Sequence, residues 1–68
     1  MDSHKRRENE KKFGNWEELS AGGRRYWHYV KGRSRWTARY IKEVDAAEST
    51  TMFVQETYDE AGMLREVH

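Results

Sequence analysis

The chain has no cysteine, which excludes a disulfide framework and any thiolate metal site, the usual reinforcements of very small secreted domains. A cytoplasmic protein is the simplest expectation. Long apolar runs are also missing. None approaches the roughly 20 residues needed to cross a bilayer, and the charged N-terminus leads into no apolar signal core, so no membrane or targeting segment is expected. No two histidines stand at ligand spacing, and the acidic residues do not follow a calcium-loop pattern. The glycines of "AGG" and "KGRS" lack the spacing and the following helix of a phosphate-cradling loop. Neither a metal nor a cofactor is expected.

What is present fits one small domain. Sixty-eight residues lie near the lower limit at which a single core offsets the entropy of ordering the chain. The apolar fraction is only 35%, but Phe, Trp and Tyr supply 13% of all residues, and large rings bury far more area than alanine or valine. An aromatic core follows. The net charge of +1 conceals a strong asymmetry. Arg24, Arg25, Lys31, Arg33, Arg35, Arg39 and Lys42 occupy an acid-free stretch, whereas Glu43, Asp45, Glu48, Glu56, Asp59, Glu60 and Glu66 follow it with Arg65 alone for balance. One half of the fold is basic and the other acidic.

Residues 1–12, "MDSHKRRENEKK", mix bases and acids with almost nothing to bury and read as a disordered basic tail. Residues 13–68 read as a single small β domain. Short segments rich in Trp, Tyr, Val, Ile and Thr alternate with small or glycine-containing breaks, the signature of strands and turns: "NWEEL", "RRYWHYVK", "RWTARYIKEV", "TTMFVQETY" and "MLREVH". Breaks this short allow only antiparallel neighbours. The expected fold is mainly β, a strongly curved antiparallel meander of four to five strands with little or no helix. The first segment, residues 15–20, also carries helix signals, an asparagine cap and a glycine stop; a strand is preferred because so short a helix is poorly stable.

Two-residue alternation places Tyr26, His28 and Val30 on one face of the second strand and Arg25, Trp27, Tyr29 and Lys31 on the other. Aromatic residues fall on both faces throughout. Such a sheet either curls on itself or covers its second face with another copy of the chain. The expected core is Trp16, Tyr26 or Trp27, Trp36, Tyr40, Ile41, Phe53, Val54 and Leu64.

Two functional readings follow. In the first, the chain is a protein-interaction module that self-associates as a homo-oligomer or pairs with a protein partner through a sheet edge. In the second, Arg25, Trp27, Tyr29, Lys31, Arg33, Arg35 and Arg39 form a surface for RNA or single-stranded DNA, the cations meeting phosphates and the rings stacking on unpaired bases. Against that surface stands the ordinary use of the same residues, with rings packed in the core and bases paired with acids across strands; the third segment lies beside the fourth, which carries Glu56 and Asp59. His28 with Tyr26, Tyr58 and Glu56 could assemble an acid–base site, but a histidine flanked by aromatics on a strand is more often packed. No enzyme and no catalytic residue is expected.

The run from Phe13 to His68, with its tryptophan-glycine-aromatic strand order and its "YDEAG" turn, resembles short uncharacterised prokaryotic proteins. That resemblance implies no activity and supplies no catalytic residues.

Overall fold

Four tight turns of two kinds set the topology. The computed structural model describes residues 3–68. In the first two hairpins the turn places two successive residues in the left-handed region, Ala21 and Gly22, then Ser34 and Arg35. This is the type I′ pattern that matches strand twist. The last two hairpins share a different turn. Asp45 and Asp59 each accept hydrogen bonds at Oδ1 from the backbone N–H groups two and four residues on, and the fourth residue of each turn has positive φ: Glu48 at 63° and Gly62 at 81°.

These turns join β1 (Asn15–Glu18), β2 (Arg24–Lys31), β3 (Thr37–Val44), β4 (Thr50–Tyr58) and β5 (Leu64–Val67) into one antiparallel sheet in the order β1-β2-β3-β4-β5. The protein is mainly β, a meander as the sequence leads one to expect, and residues 15–18 are strand. The sheet is somewhat curled and does not close.

The N-terminal segment departs from the sequence reading. Residues 1 and 2 lie outside the described residues, but from Ser3 the expected tail is a helix, α1 (Ser3–Phe13). Arg6, Asn9, Glu10 and Phe13 recur at the spacing of one helix face, and all four meet the sheet: Arg6 and Asn9 bind Glu48, Glu10 binds Arg24, and the Phe13 ring lies 5.8 Å from Tyr26 and 5.0 Å from His28. The face is amphipathic in contacts but polar in composition, so a search for apolar periodicity passes over it.

The core is smaller than expected and lies under α1. Phe13, Tyr26 and Val44 form it, with Tyr40 packed alongside. Ile41 is buried on the opposite face. Trp16, Phe53 and Leu64, expected in the core, are about half exposed, because Trp16 and Leu64 sit on edge strands and α1 packs chiefly on β1 and β2. Gly23 lies tight against the neighbouring strand of the sheet: a Cβ there would stand 2.6 Å from the Val44 carbonyl oxygen.

Candidate functional site

The sheet presents two unlike faces. On the helix side, the turn at Asp45–Ser49 delivers Glu48 into the interior, where it is 3% exposed. Its carboxylate accepts hydrogen bonds from Arg6 Nε (2.9 Å), Asn9 Nδ2 (2.9 Å) and Tyr26 Oη (3.0 Å). Burial pushes the Glu48 pKa up, but these three donors outweigh it and hold the carboxyl below its ordinary value. The Tyr26 hydroxyl, buried and facing that charge, is raised. Lys42 donates to Asn9 Oδ1 (3.0 Å), and Arg24 binds Glu10 at 2.6 Å. The sister turn uses Gly62 where this one uses Glu48. A left-handed non-glycine residue costs on the order of 1 kcal/mol or more, and here that conformation aims the carboxylate that ties α1 to the sheet.

Among the described residues, no helix covers the other face. Register places Trp27, Ile41 and Val54 in one row across the strands, Tyr29, Arg39, Glu56 and Val67 in the next, and Lys31, Thr37, Tyr58 and Leu64 in the third. Tyr29, Met63, Leu64 and Val67 are each at least half exposed. The edge beside them is incomplete. β5 pairs with β4 from Glu56 to Tyr58, and Gln55 exchanges both backbone hydrogen bonds with His68 (2.8 and 2.9 Å). Thr50–Val54 has no strand on that side among the described residues. By two-residue alternation from Gln55, the N–H and C=O of Phe53 point to this open edge.

The residues proposed from sequence for nucleic acid divide into two groups. Arg25 lies between Glu43 (2.8 Å) and Glu17 (2.5 Å), whose hydrogen bonds raise its pKa. Arg39 stands 3.6 Å from Glu56 and lies over the rings of Trp27 and Tyr29. These cations are neutralised within the fold, and the Arg39–Glu56 pairing is the cross-strand use anticipated from the third and fourth segments. Asp59 pairs instead with Arg65. Its carboxyl is held low chiefly by the Met63 and Ala61 N–H groups. Lys31, Arg33 and Arg35, at the tip of the β2–β3 hairpin, have no ion pair among the described residues.

His28 does not join Glu56 and Tyr58. It stacks on Tyr40 at 5.2 Å beneath Phe13 on the helix side, whereas Glu56 and Tyr58 hydrogen-bond each other (2.8 Å) on the open face. Donation to Glu56 raises the Tyr58 pKa. Among the described residues no three His, Asp or Glu side chains gather as a metal site, and no helix is long and apolar enough to cross a membrane. Compared with family models, curated proteins and solved structures, the chain matches none.

Proposed function

We propose that this protein is an interaction module that pairs with a second copy of itself through the outer edge of β4. The observation that carries this reading is the open edge at Thr50–Val54. Its sequence, "TTMFV", has no charge and no proline, the two devices that commonly keep sheet edges from pairing. The opposite edge, β1, carries Glu17 and Glu18, so the sheet is guarded on one side and open on the other.

Charge supports the same choice of partner. An uncharged segment laid antiparallel on its own copy sets no like charges against each other, and a twofold arrangement requires this self-complementarity. Apolar side chains beside the edge, Phe53 (51% exposed) on the helix side and Val54 and Val67 on the open face, gain burial when a neighbour strand is added. The asymmetry of the two halves plays no part, since Arg25 and Arg39 already have carboxylate partners in the same chain.

The test is the solution mass over a wide concentration range, measured by light scattering for the wild type and for Phe53→Lys, which places a charge on the edge without touching the core. The wild type is expected to rise from 8.2 kDa towards twice that mass, and the variant to stay monomeric. A wild type that remains monomeric at the highest soluble concentration contradicts the proposal.

A further inference from the structure

The tip of the β2–β3 hairpin is built differently from the rest of the sheet surface. Among the described residues, the arginines within the strands, Arg24, Arg25, Arg39 and Arg65, each face a carboxylate within 4 Å. Those of the tip, Arg33 and Arg35, do not, and neither does Lys31. The backbone that presents them is strained, since Ser34 and Arg35 take φ values of 55° and 66°, positions where type I′ turns favour Asn and Gly. Arg35 borders two depressions. One, of about 320 Å³, is lined by Lys31, Gly32, Trp36 and Thr37. The other, of about 440 Å³, runs past Tyr29 and Tyr58 towards Glu60. Tyr29 is 59% exposed at its rim.

We infer that this tip binds single-stranded nucleic acid, with Lys31, Arg33 and Arg35 meeting successive phosphates and the Tyr29 ring stacking on an unpaired base. Free cations favour a polyanion because their binding releases condensed counterions. The exposed ring selects an unpaired strand, because a duplex withholds its base faces. Arg25 and Arg39, members of the larger surface suggested by sequence, are left out because Glu43, Glu17 and Glu56 already occupy them, and Trp27 because it is only partly exposed; Tyr29, although Arg39 also lies near its ring, keeps most of its surface open. The tip lies at the far end of the strands from Thr50, which pairs with Val44, whereas Thr37 beside the tip pairs with Tyr58. Binding here is therefore independent of pairing through the β4 edge.

The test is fluorescence anisotropy of labelled oligothymidylate and oligouridylate titrated with the full chain over a tenfold range of salt. Three phosphate contacts predict an affinity that falls about a hundredfold across that range. The double variant Arg33→Gln/Arg35→Gln should bind far more weakly and retain only about a fivefold salt effect, with an unchanged melting temperature. Tyr29→Ala should lose about fivefold or more. Arg7→Gln/Lys11→Gln on α1 serves as the control for the helix cations and should bind like the wild type. Absence of binding at the lowest salt, equal binding by the tip variant, or a duplex and heparin bound as tightly as the single strand would each overturn the inference.

Discussion

Replacing Glu48 by alanine should come close to unfolding the protein. The carboxylate is 3% exposed, and its three donors are buried or nearly so: Tyr26 is 0% exposed, Asn9 6%, and the Arg6 side chain 18%. Removing one member of a buried ion pair typically costs about 3 to 5 kcal/mol, because the groups left behind stay desolvated without a partner. A domain of this length has roughly 3 to 10 kcal/mol in total. Alanine at position 48 would inherit the left-handed backbone and recover none of its strain. Glycine would recover on the order of 1 kcal/mol, so Glu48→Gly should be the milder change yet still clearly destabilising. Urea titration followed by far-ultraviolet circular dichroism reads both, with loss of helical signal from α1 preceding or accompanying loss of the sheet. If Glu48→Ala lay within 0.5 kcal/mol of the wild type, or if Glu48→Gly were more stable than the wild type, the carboxylate would not be what holds the helix.

The same groups set the dependence on pH. Glu48 and Asp59 have folded pKa values below their ordinary carboxylate values of 4.5 and 3.8; their contribution is present above the unfolded pKa and is lost as pH falls through the folded one. Melting temperature should therefore drop on acidification below about 4, and less steeply in Glu48→Gln. Tyr26 and Tyr58 are raised above 10.0, so what they add is present below that value and lost as pH climbs beyond it; a plateau with falling limbs on both sides is expected from thermal melts across pH. Phe13→Ala removes a ring that is 4% exposed and touches Tyr26 and His28. It should cost about 3 to 5 kcal/mol in a urea titration, whereas Trp16→Ala at the exposed β1 edge should cost markedly less.

The meander was legible because strand and turn chemistry are local. "SAGG", "DAAES" and "YDEAG" mark turns by composition alone, and the short breaks leave no room for parallel crossovers. Tertiary placement was harder to read. α1 shows no apolar stripe, since three of the four residues that meet the sheet are Arg6, Asn9 and Glu10, and their partners lie far along the chain at Arg24 and Glu48. Aromatic residues on both faces suggest a larger core, but a five-stranded sheet with a single short helix buries chiefly the strip beneath that helix, which leaves Phe53 and Leu64 open. One signal could have exposed the Glu48 cluster. The two aspartate turns share Asp at the first position and Ala at the third, but at the left-handed fourth position the first has glutamate where the second has glycine, and a non-glycine residue at such a position usually has a task there.

Among the candidate residues, Arg25 and Arg39 look identical in sequence to Arg33 and Arg35. What separates them is register. Pairing of β2 with β3 and β3 with β4 sets Arg25 against Glu43 and Arg39 against Glu56, while the turn carries Arg33 and Arg35 beyond the last rung of the sheet.

Self-association through the β4 edge is tested most directly by amide hydrogen exchange at Phe53, followed by NMR at several protein concentrations. The Phe53 N–H faces the open edge, whereas that of Gln55, two residues on, is bonded to His68 within the chain. Protection of Phe53 should rise with concentration as a second strand covers it, with Gln55 protected throughout. A Phe53 amide that exchanges equally fast at every concentration would contradict pairing at this edge.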